Sequence, residues 1–260
     1  MAAPQVSDNP EVNQHYATNV ALTAALVASL RKLWPMINLA DVPGSLPRYK
    51  TAVAAVVDKF AGAATSLSAD HYEALRGSTI PGTFRAPIID LPPVEKVQAS
   101  LGWATSDLLV TGGDPSIHEP APADTVTIVQ DKVEAVAQKV VMDAGRNELI
   151  AAIEADTKAR GWARVTKPDA CYFCRMLATR GAVYANQFTA GRAANKRFTG
   201  DGEFKFHNNC HCTIEPLFGR HYEAPAHTRA DMALWNKVTK GLSGQDAINA
   251  FRRAIHAQQH

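Results

Sequence analysis

All four cysteines of this 260-residue chain lie in two short clusters. The first is Cys171-Tyr-Phe-Cys174 and the second is His207-Asn-Asn-Cys210-His-Cys212. One turn can present both sulfurs of a Cys-x-x-Cys on the same side, and side chains two positions apart on an extended segment share a face. This spacing is typical of a tetrahedral metal site that joins two distant parts of a chain. We therefore predict one structural zinc ion, held by Cys171 and Cys174 with ligands drawn from His207, Cys210 and Cys212.

These side chains outnumber the ligands of a tetrahedral zinc ion, so one of His207, Cys210 and Cys212 is spare. His211 points away from the other ligands if its segment is extended, and we expect it not to bind the metal. Two disulfides are an alternative, but they require an oxidising compartment that nothing else in the sequence indicates. A redox-active Cys-x-x-Cys is a third possibility, but the flanking sequence lacks the pattern of a βαβ redox fold.

The segment around and between the two clusters is basic. Residues 158–220 contain eleven Lys and Arg against four Asp and Glu, although the net charge of the whole chain is only +2. Because the loop between the clusters has few large apolar side chains, it cannot order itself by burial, and a metal at its two ends would fix where its cations lie. Phosphate contacts need positive charge and no base recognition. The candidate DNA contacts are Arg175, Arg180, Arg192, Lys196, Arg197 and Lys205. The alternative is a basic surface without a nucleic-acid partner.

Long helices are predicted before the cysteine clusters. Asn9-Pro10 is typical of a helix N-terminus, and the helix that follows, with Tyr16, Val20 and Leu30 on one face, should end near Pro35. A second apolar stripe runs from Val53 to Leu67 at helical spacing. Five valines between positions 126 and 140 recur at steps of three and four, which predicts a long helix from about Asp124 to about Arg160.

Shorter elements complete the chain. Pro43-Gly44 is predicted to be a turn and residues 77–93 a loop, followed by a short helix over residues 94–109. Met232 to Lys240 is weakly helical. Ser243 with Asp246 is typical of a capping box, and it should open a last helix with Ile248, Phe251 and Ile255 on one face.

The sequence therefore predicts a mainly α-helical protein of long packed helices, with a small irregular α+β zinc-clamped module near the C-terminus. We divide it into a helical scaffold at residues 1–160 with a linker at about 110–123, a zinc-clamped basic module at residues 161–220, and a helical segment at residues 221–260. No apolar run approaches the roughly 20 residues that span a bilayer, so we expect no membrane span. The first ten residues lack a secretory pattern, which favours synthesis in a reducing cytoplasm.

Three short elements carry a resemblance to a known family. They run from Asp169 to Leu177, from Arg180 to Tyr184 and from Phe206 to Cys212. Together they resemble the Mu F-like minor head proteins of tailed bacteriophages, best in the version seen in phages of actinobacteria. In that family a C-x-x-C is followed, after a variable insert, by H-x-x-C-x-C. The similarity covers roughly residues 162–216, and His211 stands where the family often has arginine.

The resemblance implies a low-copy minor capsid protein of the virion that assists DNA packaging or ejection near the portal. The expected partners are the portal protein, the major capsid protein or both, together with genomic DNA through non-specific phosphate contacts. The expected location is the head interior or the portal region, after synthesis in the host cytoplasm.

We expect the protein not to be an enzyme. One alternative is a zinc-associated nuclease in which His211 or His221 activates water, but a closed four-ligand zinc leaves no coordination position for water. Another is a capsid maturation protease, a label that some similar phage proteins carry. The chain has neither a Gly-x-Ser-x-Gly elbow nor a His-Glu-x-x-His motif.

Overall fold

The computed structural model of the protein describes residues 5–109, 123–182, 208, 210–219 and 222–259. Within these ranges it contains seven α-helices and one antiparallel sheet of two strands. The prediction of a mainly α-helical protein with a small α+β module is therefore confirmed. The predicted linker at about 110–123 lies almost entirely outside the described residues.

The helices are α1 (Pro10–Leu33), α2 (Val42–Thr79), α3 (Val94–Ala104), α4 (Ala123–Ala155), α5 (Tyr172–Ala178), α6 (Ala226–Val238) and α7 (Gly244–Gln259). The strands are β1 (Gly161–Val165) and β2 (Thr213–Leu217), and short 3₁₀ helices cover Trp34–Met36 and Ser106–Leu109.

Helix α1 begins and ends where the sequence predicts. The Asn9 side chain accepts a hydrogen bond of 2.8 Å from the N–H of Glu11, and Pro10 occupies the first helical position. The buried face differs in part from the prediction, because Val20 is 38% exposed. In its place the helix buries Asn19 and Thr23, whose polar atoms find partners within α1.

Helix α2 contradicts the predicted turn at Pro43-Gly44, because both residues lie in its first turn. The Asp41 carboxylate caps the helix by accepting a hydrogen bond of 3.0 Å from the N–H of Gly44. A proline in the first turn removes only an N–H that has no partner inside the helix. The helix also extends through Gly77, so the predicted loop begins only after Thr79.

Among the helices that the structure describes, α2 alone is long and apolar enough to span a membrane. The same composition is found in core helices of proteins without membrane spans. In this structure α2 packs as a core helix, because residues such as Val53, Val57 and Ala64 are buried in the main core.

The main core lies where α1, α2, α3 and α4 pack together. The α4 valines Val129 and Val133 join the α2 side chains there, so the predicted valine stripe packs inside the chain. The helices α2 and α4 cross closely at Gly145, where a Cβ would lie 2.8 Å from the Ser68 Oγ and 3.1 Å from the Ala64 carbonyl oxygen.

Helix α4 ends at Ala155, five residues before the predicted Arg160. The next residue, Asp156, accepts hydrogen bonds of 3.2 Å from the Tyr72 hydroxyl and from the Arg76 guanidinium. Its other carboxylate oxygen accepts one of 2.9 Å from the N–H of Lys158. These contacts turn the chain out of the helix and into β1.

Strands β1 and β2 pair with Gly161 opposite Leu217 and Val165 opposite Thr213. The sheet packs on the ends of α2 and α4, where Trp162 and Ile214 share a buried cluster with Tyr72. The pairing places the residues just before β2 beside the end of β1. The predicted domain boundaries at residues 160 and 220 stay predictions.

The C-terminal helices pack on α5. Phe251 and Ile255 are buried against Met176 and Leu177, which agrees with the predicted face of the last helix. Helix α6 begins at Ala226, six residues before the predicted start.

Candidate metal centre

Three cysteine side chains meet at the junction of α5 and β2. Cys174 lies in the first turn of α5, and Cys210 and Cys212 lie directly before β2. The Cys174 Sγ is 3.4 Å from the Cys210 Sγ and 3.2 Å from the Cys212 Sγ. Each of the three residues is at most 5% exposed. All three sulfurs lie within 4.8 Å of one another, as the ligands of one metal ion must.

The donor set fits a tetrahedral zinc ion. A zinc–sulfur distance of about 2.3 Å separates neighbouring sulfurs by roughly 3.8 Å, so these sulfurs would move apart by a few tenths of an ångström on binding. All four cysteines are free thiols. A disulfide would join two members of the group and leave the third sulfur packed against the bond, whereas one metal ion can bind all three.

The predicted ligand Cys171 is not one of the three clustered cysteines. Cys171 is exposed at the N-cap of α5, and its thiol is hydrogen-bonded to that of Cys174. His207 lies outside the described residues. Cys210 and Cys212 both adjoin Cys174, and which member of the predicted set is spare stays a prediction. His211 is not part of the cluster that the described residues form, and its Nε2 lies 3.4 Å from the Thr23 Oγ1 on α1.

Arg146 connects the cysteine segment to the helical scaffold. It lies on α4, is 2% exposed, and donates to the Cys212 carbonyl oxygen from Nε at 3.0 Å and from Nη2 at 2.8 Å. The same Nη2 donates to the Cys210 carbonyl oxygen at 2.6 Å. Its Nη1 donates to the Asp143 carboxylate at 2.8 Å. One buried guanidinium therefore holds both carbonyls of the segment that carries two ligands.

A second buried guanidinium faces the sulfur of a clustered cysteine. Arg164, on β1, is 2% exposed, and its Nη1 lies 3.5 Å from the Cys212 Sγ. Burial alone would raise the pKa of the Cys212 thiol, but its hydrogen bonds with Cys174 and Cys210 and the charges of Arg164 and Arg146 hold it well below its usual range. Hydrogen bonds with Cys171, Cys210 and Cys212 raise the pKa of Cys174. The cluster thus favours a thiolate at Cys212, the form that binds a metal.

The predicted DNA contacts fall into three groups. Arg175 donates from Nε at 2.9 Å and from Nη2 at 2.5 Å to the buried Asp231 carboxylate, so its guanidinium is already paired inside the protein. Arg180 follows α5 and is exposed. The remaining four lie outside the described residues: Arg192, Lys196, Arg197 and Lys205.

Spacing between cysteines and histidines did not reveal Arg146 or Arg164. One signal was available for Arg146. It stands among Met142, Leu149 and Ile153 at helical spacing, so it is a lone cation on an otherwise apolar and buried face. A buried arginine requires a partner, and such a position indicates that one is supplied from elsewhere in the chain.

The fold and the cluster define a helical protein with a cysteine site able to hold a metal ion. The family model described as VG15 protein matches residues 7–238, nearly the whole chain. The chain therefore belongs to the VG15 protein family, a family of phage and viral proteins. This agrees with the phage origin implied by the cysteine motifs. No curated protein and no solved structure matches the chain.

Proposed function

We propose that this protein is a low-copy virion protein of the Mu F-like minor head type, which lies near the portal and assists DNA packaging or ejection. Membership of a phage protein family supports a virion role. The observation that carries the proposal is the joining of Cys174, Cys210 and Cys212 into one cluster. This cluster holds both ends of the basic segment next to helix α4, where a bound metal would keep them.

The metal proposed for the centre is zinc, with a structural role. Soft thiolate ligands suit zinc, and zinc sites rich in cysteine are typically structural. A catalytic zinc keeps one coordination position open to water, whereas the three clustered cysteines are at most 5% exposed. This burial supports a centre that stabilises the fold, and we propose that the protein is not an enzyme.

We propose that the basic segment contacts genomic DNA through phosphates. The proposed phosphate contacts are Arg180 and the four cations from Arg192 to Lys205. Arg175 is no longer proposed, because its guanidinium is paired with Asp231. Changing Arg180, Arg192 and Arg197 to Glu should weaken DNA binding in a salt-dependent way, since each lost phosphate contact lowers the salt dependence of affinity. Unchanged binding across a salt series would remove DNA from the proposal.

Exposed apolar side chains on α3, α4 and the 3₁₀ helix at Ser106–Leu109 support assembly with the portal or major capsid protein. Trp103, Leu109 and Ile128 are between 45% and 57% exposed, and the Lys132 Nζ, one turn after Ile128 on α4, lies 5.4 Å from the Trp103 ring centroid. Exposed apolar groups of this size often mark interaction sites. Trp103→Ser with Ile128→Ser should reduce the copies incorporated into heads, whereas Leu242→Ser, at an equally exposed position in another region, should not.

Quantitative mass spectrometry of purified phage heads tests the proposed function. We expect a few copies per particle, enriched with the portal, and zinc in matching amount. Absence from the particle would contradict a virion role. In that case the nuclease alternative predicts cleavage of plasmid DNA that His211→Ala abolishes, and the protease alternative predicts cleavage of scaffold or capsid protein during expression.

A further inference from the structure

We infer that Arg146 and Arg164 are positioning residues of the metal centre, with different tasks. Arg146 holds the main chain of the Cys210–Cys212 segment in its binding geometry, and Arg164 stabilises the metal-bound centre through the Cys212 sulfur. The inference rests on the proposed metal site and assigns to it two residues that are not ligands.

The task of Arg146 follows from its hydrogen bonds. Three donations reach two carbonyl oxygens, those of Cys210 and Cys212, at distances between 2.6 and 3.0 Å. Asp143 fixes the other side of the guanidinium from the preceding turn of α4. A planar guanidinium can donate to both carbonyl oxygens and to the carboxylate at the same time. A lysine ammonium cannot reproduce that geometry.

The task of Arg164 follows from its contact with a ligand atom. Its Nη1 faces the Cys212 Sγ at 3.5 Å, within a site where both residues are at most 3% exposed. A zinc ion held by three or four thiolates has a net negative charge, which is costly to bury without a cation nearby. The Arg164 charge offsets this cost, and its N–H group withdraws electron density from the sulfur.

The two arginines also explain how the site is assembled from distant segments. Arg146 belongs to a scaffold helix and Arg164 to β1, which pairs with the strand that follows Cys212. When the metal binds, the cysteine segment, α4 and the sheet are therefore held as one unit. Groups around first ligands commonly change metal affinity by about 10–100-fold when they are removed.

Four variants of the full chain separate these tasks, with zinc affinity measured by competition with a chromogenic chelator. Arg164→Met should lose affinity by about 10–100-fold, and Arg164→Lys should recover most of it because the charge is restored. Arg146→Met should lose affinity to a similar extent, but Arg146→Lys should not recover it. The matched control is Arg76→Met, which removes an equally buried arginine that pairs with Asp156.

In the cobalt-substituted protein, the energy of the thiolate-to-cobalt charge-transfer band does not change when only the stability of the fold changes. Removing the hydrogen bond and charge from the Cys212 sulfur should shift the thiolate-to-cobalt charge-transfer band of Arg164→Met to lower energy. The band of Arg76→Met should stay at its wild-type energy even if that variant is less stable.

Wild-type affinity and an unshifted band in Arg164→Met would overturn the inference for Arg164 and leave the metal site intact. Full recovery in Arg146→Lys would overturn the assigned task of Arg146. Failure of the wild-type chain to bind zinc or cobalt would overturn the proposed metal site itself, and both assignments with it.

Discussion

Arg146 donates two hydrogen bonds to the carbonyl oxygen of Cys212, at 3.0 Å from Nε and at 2.8 Å from Nη2. Arg146 lies on α4 and Cys212 directly before β2, and both are buried. This contact makes the position of a proposed metal ligand depend on a scaffold helix. It also means that the centre and the helical core should lose stability together when either is disturbed.

The fourth ligand can be identified by substitution. Cys171 adjoins Cys174 at the start of α5, where a Cys-x-x-Cys places both sulfurs on one side, so we expect Cys171 to be the ligand and His207 to be spare. Cys171→Ser should reduce the intensity of the thiolate-to-cobalt band by about a quarter, and His207→Ala should leave it unchanged. In a centre of three cysteines and one histidine, Cys171→Ser would leave the thiolate-to-cobalt band unchanged, and His207→Ala would change the visible d–d bands of the cobalt ion.

The ion pair of Arg175 and Asp231 should contribute strongly to stability. Asp231 is 2% exposed and accepts two hydrogen bonds from the guanidinium, which connect α5 to α6. Asp231→Asn should lower the free energy of unfolding by about 3 kcal/mol, because it leaves a largely buried cation without its counter-charge. Urea unfolding in excess zinc measures this difference.

Glu223→Ala is the control for that experiment, because its partner Arg229 and its own side chain are both well exposed. Its effect should stay below about 1 kcal/mol. Equal effects of the two substitutions would show that the Arg175 pair is no stronger than a surface contact.

The close crossing of α2 and α4 should not tolerate a methyl group at Gly145. A Cβ there would meet the Ser68 Oγ at 2.8 Å and the Ala64 carbonyl oxygen at 3.1 Å. Gly145→Ala should therefore lower the free energy of unfolding by about 1–3 kcal/mol. Gly102→Ala, also helical but with no atom within 4 Å of the added Cβ, should raise it by up to about 1 kcal/mol. A stabilising Gly145→Ala would contradict this packing.

Acid should destabilise the protein through two stacked histidines. The rings of His15 and His71 lie 4.2 Å apart, and burial lowers the pKa of His15 to about 3 and that of His71 to about 4, from an ordinary value of 6.5. As the pH falls from about 6.5 towards 4, the unfolded chain takes up protons that the folded chain cannot, so stability falls in this window.

Glu215 has the opposite effect on the pH dependence of stability. Burial raises the pKa of Glu215 to about 7, so its carboxyl group binds a proton in the folded chain first and adds stability as the pH falls from 7 towards 4.5.

His71→Phe keeps an aromatic ring in the stack and should reduce the loss of stability between pH 7 and pH 5. The control His256→Gln, at an exposed position of α7, should keep the wild-type pH dependence. Identical profiles for His71→Phe and wild type would refute a role for the stack.

Local signals in the sequence predict much of the helical fold. The Asn9-Pro10 start of α1, the stop before Pro35 and the start of α7 after Ser243 depend on residues within one or two turns of the helix ends. Which side chains of a helix are exposed is harder to predict from the sequence than where the helix begins and ends. Val20 is exposed because the neighbouring helices pack on a different face of α1, and periodicity alone cannot select between adjacent faces.

The candidate site was only partly predictable for a similar reason. Cysteine spacing indicated the cluster, because ligands in pairs have a recognisable pattern. The contact of Arg164 with Cys212 joins residues 48 positions apart, and the contacts of Arg146 with the cysteine carbonyls join residues at least 64 positions apart. These contacts depend on how β1, β2 and α4 pack, which no short motif encodes.

The central claim is that the cysteine cluster holds one structural zinc ion, and the metal content of the purified full chain tests it most directly. Native mass spectrometry should find one zinc ion per chain, and Cys174→Ser should lose it and unfold at a lower temperature, since metal binding adds to folding free energy. A wild-type chain that is folded without metal, and whose unfolding temperature zinc does not raise, would contradict the claim.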